Sequence, residues 1–253
     1  MSIVLINIRK SFGDAEILKG ISAQFSAGKV NCVIGASGSG KSVLMKCMVG
    51  IHKPNSGKIL YDNLDFVPLT ADEKKPTRRQ IGMLFQGSAL FDSMTVEENV
   101  AFPIKMFEGT QSPAEILTRV NHALERVGLA GSNHKFAGEL SGGMMKRVGI
   151  ARAIILNPKY LYCDEPNSGL DPLTAQKIDE LIQEITVEYN TTTIINTHDM
   201  NSVMEIGDYI LFLHQGEKCW EGNKKDILTT DNEILNNFVF STVFLKDFKQ
   251  KQL

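Results

Sequence analysis

Residues 30–48 read VNCVIGASGSGKSVLMKCM, and the architecture of the whole chain follows from this segment. A short apolar run at 30–34 precedes a glycine-rich stretch, and a helical pattern begins at Lys41. A strand, a tight loop and a helix in this order form half of a βαβ unit. Residues 35–42 also fit the pattern G-x-x-x-x-G-K-[ST], which in this context is typical of a phosphate-binding loop.

The chemistry of this loop follows from its residue types. Glycines let backbone N–H groups turn toward phosphate oxygens, and the N-terminus of the following helix adds positive potential. We expect Lys41 to reach the β- and γ-phosphates and the Ser42 hydroxyl to ligate Mg²⁺. The alternative is a glycine-rich turn that binds no ligand. The residues predicted to bind nucleotide here are Gly35, Ala36, Ser37, Gly38, Ser39, Gly40, Lys41, Ser42 and Val43.

The rest of the chain alternates predicted strands with predicted helices. Strands are predicted at 3–8, 57–61, 81–85, 160–163, 192–196, 210–213 and 217–220, and helices at 41–50, 113–127 and 174–188. This alternation favours an α/β fold with a mostly parallel sheet. The charged stretch at 72–79 is expected to be a solvated loop. Residues 88–156 are predominantly helical in pattern and predict an inserted subdomain, in which Pro103 should bend or end a helix.

Composition limits the functions open to this chain. It has 253 residues, with 27 basic and 29 acidic side chains, so no broad basic field favours nucleic-acid binding. The four cysteines are scattered without ligand spacing, which predicts buried, reduced thiols. No apolar run has the length of a signal peptide or of a membrane span. A membrane role is therefore expected to come through a partner.

The segment LYCDE at 161–165 complements the phosphate-binding loop. Asp164 stands at the predicted end of a strand, where it could hold Mg²⁺ directly or through water. Glu165 would then be positioned to polarise an attacking water molecule. A strand-end turn without a catalytic role is the alternative.

A third segment, GELSGGMMKRVGIAR at 138–152, has Ser and two Gly at the predicted start of a helix. The first N–H groups of a helix lack partners, and Ser141 can either cap them or turn its hydroxyl outward. Gly142 and Gly143 carry no side chain that would block a phosphate. If two chains pack head to tail, these three residues of one chain can close over ATP held by the loop of the other.

The order of these three segments resembles the nucleotide-binding subunits of ABC transporters. LSGG, with the phosphate-binding loop before it and DEP after it, carries the resemblance, which extends from Phe12 to about Asp226. It implies a P-loop NTPase fold of the ABC type, with a mostly parallel RecA-like sheet, an N-terminal antiparallel β subdomain and an inserted α-helical subdomain. The implied boundaries are 1–230 for the ATPase domain, about 88–156 for its helical subdomain, and 231–253 for a C-terminal extension.

The resemblance also assigns roles to residues outside these segments. Phe12 resembles the aromatic residue that stacks on adenine, and Gln86 the glutamine that senses Mg²⁺ and the γ-phosphate and faces the membrane subunit. Residues 168–171 resemble the loop that crosses the dimer interface. His198 resembles the histidine that contacts the γ-phosphate and orients Glu165. Taken singly, Phe12 could be a core residue, Gln86 a polar strand end and His198 an ordinary histidine. The implied catalytic residues are Glu165 and His198, the implied Mg²⁺ ligands are Ser42, Gln86 and Asp164, and Ser141, Gly142 and Gly143 complete the ATP site.

One departure from the family pattern points to a subfamily. Met144 replaces the usual Gln after LSGG, and a thioether is only a weak acceptor. One alternative is that Met144 simply packs against its helix. The other is that it marks a subfamily, since LSGGM-x-KRVGIARA and the segment FQGSALFDSMTVEENVAFP at 85–103 resemble ATPases of Mla-type lipid transporters. That resemblance implies phospholipid transport through a multispanning permease, with the chain peripheral on the cytoplasmic side of the inner membrane. It also implies an Mce-domain protein and a small regulatory subunit as further partners. Asn167 replaces a more usual Thr, and we expect little change.

Other functions remain as alternatives. Within transporters, the alternative is the ATPase of an importer for amino acids or another small solute. A soluble ABC ATPase that acts in translation or DNA repair is another alternative. Such proteins are tandem pairs of ATPase domains or carry long coiled-coil or zinc-binding insertions. This sequence has one phosphate-binding loop, no heptad run and no CxxC, which argues against that class. A regulatory module without catalysis is opposed by the presence of both Glu165 and His198. A predicted helix near 233–240 either reaches a partner subunit or packs on its own domain.

Overall fold

A computed structural model describes residues 2–240 of the chain. Two units are distinguished by their internal contacts. The first takes its described residues from Met1–Leu69 and Ile194–Leu253, and the second is Thr70–Thr193. Within residues 2–240, each helix is either too short or too polar to cross a membrane. The predicted extension at 231–253 lies outside the described residues from 241 onward.

Strands and helices alternate along much of the chain, as the sequence predicts. In chain order the elements are β1 Ser2–Phe12, β2 Ala15–Ser26, β3 Lys29–Ile34, α1 Lys41–Met48, β4 Ser56–Tyr61, β5 Leu64–Asp65, α2 Lys75–Arg79, β6 Ile81–Leu84, α3 Val96–Phe107, α4 Pro113–Arg126, a 3₁₀ turn Ala137–Glu139, α5 Gly142–Ile154, β7 Tyr160–Asp164, α6 Pro172–Glu188, β8 Thr192–Thr197, α7 Met200–Ile206, β9 Tyr209–His214, β10 Glu217–Gly222, α8 Lys224–Thr229 and α9 Glu233–Val239. The α/β fold class is confirmed.

The first unit contains an antiparallel sheet with the strand order β2-β1-β4-β5. β2 is absent from the sequence prediction because its apolar residues do not alternate regularly. The pairing of β1 with β2 is irregular between Leu5 and Ile8 and again after Ile8. On β2 the buried residues Leu18 and Ile21 are consequently three positions apart, a spacing that hides the period of two expected of a strand.

The first unit also holds part of a second sheet, in the order β10-β9-β3-β8, with β8 included from Ile194 onward. β3 pairs in parallel with β9, and β9 pairs antiparallel with β10. The β9–β10 hairpin turns at Gln215 and Gly216, whose φ angles of 50° and 81° are both left-handed, as a tight hairpin requires. This confirms the predicted hairpin.

In the second unit, β6 and β7 form a parallel pair, and α5 packs closely on β6. A Cβ at Gly82 would lie 2.3 Å from the carbonyl oxygen of Ala153, and a Cβ at Gly149 would lie 2.6 Å from a methyl group of Leu84. Real side chains do not tolerate such approaches, so these two glycines permit the close packing of α5 on β6. The loop that follows β6 therefore runs beside α5.

Helices α3 and α4 begin with the capping signals that their sequences carry. Thr95 accepts a hydrogen bond from the backbone of Glu98, whose carboxylate accepts one in return, and Ser112 forms the same arrangement with Glu115. Of the two alternatives predicted for Pro103, that it bends or ends its helix, the second is wrong, because α3 continues to Phe107. Burial of Val100 and Ile104 on both sides of the proline stabilises the helix through this position.

The prediction of a loop at 72–79 is also wrong in part, since Lys75–Arg79 is helical. Pro76 lies in the first turn, where backbone N–H groups form no hydrogen bond within the helix, so that its lack of an N–H costs nothing. The last turn carries Arg78 and Arg79, whose positive charges complement the helix dipole. Thr77 is buried, and Arg79 pairs with Glu108, which also binds Arg119. Tertiary contacts therefore fix a segment that has no apolar periodicity.

At the end of the described chain, α9 packs on the first unit. Leu235 and Val239 are buried, and the ring of Phe238 stacks on that of Phe212 with centroids 5.2 Å apart. Of the two alternatives for this helix, packing on its own domain is the one seen for residues 233–240.

Candidate functional site

The glycine-rich loop joins β3 to α1, as predicted. Gly35, Gly38 and Gly40 have φ angles of 150°, 80° and 104°, which disfavour a Cβ. A Cβ at Gly35 would also lie 2.3 Å from the carbonyl oxygen of Leu213. Gly40 stands at the start of α1, and no described side chain caps that helix. Its first N–H groups therefore face the loop, which is the arrangement of an anion-binding helix terminus.

Within the loop, Lys41 and Ser39 present polar groups that suit phosphate. Lys41 is 8% exposed as a residue, and its ammonium donates to the carbonyl oxygens of Gly35 at 2.7 Å and Ala36 at 3.1 Å. The Ser39 hydroxyl is buried, and no described residue forms a hydrogen bond with it. Residues 36–38 are exposed. A buried hydroxyl without a partner beside an exposed backbone cradle fits a ligand that supplies acceptor oxygens.

Phe12 lies at the end of β1 and is 46% exposed, which excludes the alternative that it is a core residue. The Lys10 ammonium lies 4.8 Å from the centre of its ring, and His52 contacts the ring edge-on at 5.2 Å between centroids. Lys10 is itself held by a hydrogen bond of 2.9 Å to the carbonyl oxygen of Lys53. The ring is therefore oriented while part of its surface stays open to a planar partner.

His198 also belongs to the first unit and follows β8 directly. It is exposed, whereas the strand before it is buried throughout. The next residue, Asp199, caps α7 by accepting from the backbone of Asn201 at 2.9 Å, and its own N–H donates to the Thr197 hydroxyl at 3.0 Å. These turn contacts fix the backbone on both sides of His198.

In the second unit, Asp164 is the last residue of β7 and Glu165 follows it. Asp164 is buried, and Glu165 is half-buried with a left-handed φ of 49°. A non-glycine residue rarely adopts this conformation, and it persists at functional sites where surrounding contacts hold it. The backbone carbonyl of Glu165 accepts from the N–H of Ser168 at 3.2 Å.

Gln86 lies near the same edge of the sheet as Glu165. β6 and β7 pair in parallel up to Leu84 and Cys163, so that the loops which follow them leave the sheet side by side. Gln86 is exposed, and its backbone carbonyl accepts a hydrogen bond from the Lys146 ammonium. The same ammonium donates to the carbonyl of Glu165 at 3.2 Å and to the hydroxyl of Ser168 at 3.2 Å.

The Ser-Gly-Gly segment forms the start of α5, and Ser141 caps it by accepting from the backbone N–H of Met144 at 3.3 Å. This contact selects the capping alternative for Ser141. A Cβ at Gly143 would lie 2.6 Å from the side-chain methyl group of Thr174, so a larger residue here would have to displace that side chain. Ser141 and Gly142 are exposed and Met144 is half-buried.

The predicted interface loop at 168–171 leads into α6. Asp171 caps this helix and accepts from the Thr174 hydroxyl at 2.6 Å, and this hydrogen bond lowers the pKa of the Asp171 carboxyl. Asn167 donates to the buried carboxylate of Asp179 at 2.8 Å. The substitution of Thr by Asn thus retains a hydrogen bond at this position.

Three side chains that hold the loop after β6 are missing from the sequence prediction. Besides Lys146, the guanidinium of Arg152 donates to the carbonyls of Ser88 and Ala89, two residues with left-handed φ angles. Burial lowers the pKa of both Lys146 and Arg152, and for Lys146 nearby anionic groups oppose the shift. Asn99, the third, is 1% exposed. A charge within the apolar pattern of α5 is the signal that could have identified the first two.

Asn99 fixes the loop backbone through four hydrogen bonds. It accepts from the N–H of Phe91 at 2.8 Å and donates to the carbonyls of Phe91, Met94 and Thr95 at 3.0–3.2 Å. Truncation would leave several of these backbone groups buried without a partner.

We expect Asn99→Ala to destabilise the chain by about 2–4 kcal/mol, because each unsatisfied buried group costs about 1–3 kcal/mol. Urea denaturation would measure the change in unfolding free energy. Asn121→Ala, at an exposed position of α4, is the matched control and should stay within about 0.5 kcal/mol of the parent. A loss below about 1 kcal/mol in Asn99→Ala would show that the loop does not depend on this side chain.

The same loop and α3 form one wall of an apolar groove of about 380 Å³ in the second unit. Phe85, Phe91 and Met106 remain 36%, 40% and 59% exposed, respectively. The ring of Phe91 packs against that of Phe102 with centroids 4.9 Å apart. Contiguous exposed apolar side chains of this size are typical of a surface that meets another protein.

Cysteine chemistry has no place in this site. Cys32, Cys47 and Cys163 are buried, while Cys219 is half-buried. Burial raises the pKa of Cys47 to about 11 and that of Cys163 further. All four are free thiols, and the prediction that they are buried holds for three of them.

Comparison with known proteins identifies sequence relatives. The profile of the family described as ABC transporter matches residues 18–168. The probable ribonucleotide transport ATP-binding protein mkl of Mycobacterium leprae is 38% identical over 240 residues, which make up 94% of this chain and 69% of that protein. The methionine import ATP-binding protein MetN of Caulobacter vibrioides is 40% identical over 215 residues, or 85% of this chain and 64% of that protein. The chain thus spans about two thirds of the length of these relatives.

Solved structures of similar fold also come from ABC transporters. The dimeric structure of MJ0796, a bacterial ABC transporter cassette, has a TM-score of 0.81 and 32% identity, covering 88% of this chain and 98% of that one. A post-hydrolysis state of MJ0796 bound to ADP and Pi has a TM-score of 0.80. The structure of cbiO1 from Clostridium perfringens, part of the ABC transporter complex cbiONQ, has a TM-score of 0.82 and 31% identity over 99% of this chain.

Proposed function

The chain belongs to the ABC transporter family and is an ATPase of that family, and we propose that its ATP hydrolysis drives phospholipid transport across a bacterial envelope through a membrane permease. The proposal has three parts, which are the roles of residues in hydrolysis, the partners, and the cargo. Each part is supported by different observations.

For nucleotide binding, residues 35–43 would hold the phosphates and Phe12 the adenine. The buried hydroxyl of Ser39 and the left-handed glycines fit a phosphate group, and the oriented ring of Phe12 fits a base. Ser42, Gln86 and Asp164 would hold Mg²⁺, since hydroxyl, amide and carboxylate oxygens are ligands that this ion accepts.

For hydrolysis, Glu165 would act as the base toward water and His198 would orient it. The left-handed backbone of Glu165 at the end of a buried strand supports this role, because strain of that kind is typical of active sites.

A second copy of the chain would complete the ATP site. The exposed residues Ser141 and Gly142 lie at the capped start of α5, whose N-terminus favours an anion. MJ0796, which is similar to this chain, was solved as a dimer. We propose a head-to-tail dimer in which Ser141–Gly143 of one copy meets the ATP bound by the other.

A multispanning permease would dock in the apolar groove, which lies beside the loop that carries Gln86. We propose that its occupant is a short apolar segment of the permease. Only a few apolar side chains stand open at this surface, so that a small anchor would fill it.

We expect Met106→Glu to weaken the association with the permease about tenfold or more, because a carboxylate would be buried in an apolar contact. Co-purification from detergent-solubilised membranes would measure the loss, with thermal melting as the test of folding. Leu117→Glu, at a position of α4 that is 40% exposed and does not line the groove, is the matched control. Equal recovery of the permease with both variants would move the docking surface elsewhere.

The observation that carries the lipid assignment is the segment 85–103. Its sequence resembles that of Mla-type ATPases, as does LSGGM with Met144, and its side chains Phe85, Phe91 and Phe102 line the groove proposed for the permease. An Mce-domain protein and a small regulatory subunit are proposed as further partners. The chain would then be peripheral on the cytoplasmic face of the inner membrane. Boundaries at 1–230 for the ATPase domain, about 88–156 for its helical subdomain and 231–253 for the extension remain part of this proposal.

Affinity purification of the tagged chain from solubilised membranes, with mass spectrometry of bound proteins and lipids, tests the cargo. A multispanning permease together with an Mce-domain protein and enriched phospholipid is the expected result. A permease with a solute-binding protein and no lipid enrichment would overturn the lipid assignment.

The second outcome corresponds to an alternative that has its own support. Relatives named as methionine import proteins are 39–40% identical over 85–92% of this chain. An importer of amino acids or another small solute would use the same ATPase site and groove. The two candidates differ in the partner protein and in the lipid enrichment that the purification recovers.

A further inference from the structure

The Lys146 ammonium lies where three segments of the second unit meet. It donates to the carbonyl of Gln86 after β6, to the carbonyl of Glu165 after β7 and to the hydroxyl of Ser168. An ammonium group has three N–H donors, and all three are used here. The residue is 4% exposed, so water does not compete for these contacts.

Two of the three acceptors are backbone carbonyls, one of Gln86, which is proposed to hold Mg²⁺, and one of Glu165, which is proposed as the base. Glu165 has a left-handed φ of 49°, and its carbonyl is held from two sides, by Lys146 and by the N–H of Ser168. A residue in this conformation relaxes unless surrounding contacts hold it. The direction of the Glu165 carboxylate depends on that backbone, because the side chain leaves from the same Cα.

A neutral side chain could not replace this arrangement. Only a cation donates to three acceptors at once without offering an acceptor of its own, and a lysine stem reaches from the interior of a helix. Burial is the largest effect on this charge and lowers the pKa of Lys146, while the negative potential of Glu165 and Asp164 opposes that shift only in part. A role in core packing alone would not call for a charged group.

We propose that Lys146 is a positioning residue for ATP hydrolysis. It fixes the backbone of Glu165, the backbone of Gln86 and the side chain of Ser168 relative to one another. Because Lys146 lies on α5, which begins at Ser141, the helix proposed to meet the partner's ATP also holds the loop beside the permease groove. This inference rests on the proposed role of Glu165 as the base.

The test compares turnover with nucleotide binding in Lys146→Met, which keeps the length of the side chain and removes the donors. We expect kcat to fall about tenfold or more, as for loss of precise orientation, while the Kd for ATP stays within about twofold. Lys146→Arg, which restores a buried cation, should recover part of kcat. Lys159→Met, at an exposed position before β7, is the matched control. A kcat per nucleotide-binding molecule within about threefold of the parent would overturn the proposal.

A second variant keeps the inference testable if Lys146→Met fails to fold. Ser168→Ala removes one acceptor and leaves the charge in place, and kcat should fall about threefold or more. Where Lys146→Met does fold, adding Ser168→Ala to it should lower kcat by less than about twofold more, because the contact between the two side chains is already lost. Full additivity of the two effects, or an unchanged kcat in Ser168→Ala, would contradict the proposed linkage.

Glu165→Gln tests the proposed base separately from the positioning role of Lys146. If that variant loses turnover and Lys146→Met does not, the base remains assigned and the positioning role fails. If Glu165→Gln retains ordinary turnover, the proposed base is wrong, and the positioning role fails with it.

Discussion

Glu165→Gln is expected to lower the ATPase turnover of this chain by about 10²–10⁴-fold, the usual contribution of a general base. ATP binding should persist, because an amide retains the size and most of the contacts of the carboxylate. With ATP and Mg²⁺ present, we expect this variant to accumulate as a dimer of two copies with nucleotide trapped between them.

The structural reason lies in the geometry at the end of β7. Asp164 is buried in the strand, whereas Glu165 lies outside it, half-buried and with a left-handed backbone. Glutamine tolerates the same backbone as glutamate, so the substitution removes the basic oxygen and leaves the loop intact. Contacts that exist only with the γ-phosphate bound then keep the dimer closed, since the phosphate is no longer cleaved.

Steady-state ATPase assays, nucleotide affinity and light scattering with and without ATP would measure the three effects together. Glu180→Gln, an exposed position of α6, is the matched control and should behave as the parent. Ordinary turnover in Glu165→Gln would remove the residue as the base. Loss of turnover together with loss of ATP affinity would instead assign Glu165 to binding.

The elements that carry the site were predictable because their signals are local. β3, the glycine loop and α1 are contiguous, and left-handed φ angles occur at Gly35, Gly38 and Gly40, where the sequence supplies glycine. Likewise, Ser141 caps α5 within three residues of its own position. In these cases the sequence neighbours of a residue determine its conformation.

Elements that depend on distant contacts were missed. At the irregular pairing between β1 and β2, Gly20 has a left-handed φ of 98°, and a Cβ there would lie 2.6 Å from the side-chain oxygen of Asn7 across the sheet. α2 is fixed by a buried Thr77 and by the pairing of Arg79 with Glu108. Contacts between distant residues leave no apolar periodicity in the local sequence, so a prediction based on periodicity finds neither β2 nor α2.

The same limit applies to the site. Lys146 appears in the sequence as one of a Lys-Arg pair, but its acceptors are 60, 19 and 22 residues away. Arg152 reaches Ser88 across 64 residues. The segment LYCDE indicated the role of Glu165 and the family resemblance that of Gln86, whereas the contacts that hold their backbones are visible only in the folded chain.

Lys41→Ala is expected to weaken ATP binding by about 10²–10⁴-fold. Two charge-assisted hydrogen bonds to phosphates would be lost, each worth about 1.5–3 kcal/mol, and every 1.4 kcal/mol is about tenfold in affinity. The ammonium is already held above the loop by the carbonyls of Gly35 and Ala36, so little entropy would oppose its contact with phosphate.

The matched control for this variant lies in the same helix. Lys46 is in the last turn of α1, and Lys46→Ala makes the same chemical change without touching the loop. Both variants should remain folded, which thermal melting would test, and only Lys41→Ala should lose affinity for a fluorescent ATP analogue.

Competition with unlabelled ADP and AMP would then locate the lost contacts. If Lys41 binds the β- and γ-phosphates, the variant should lose most affinity for ATP, less for ADP and little for AMP, because AMP has neither phosphate. An equal loss for all three nucleotides would indicate that the loop itself had changed. Unchanged affinity for ATP would remove Lys41 from the phosphate site, since no bound phosphate could lie beside a buried ammonium without gaining from its charge.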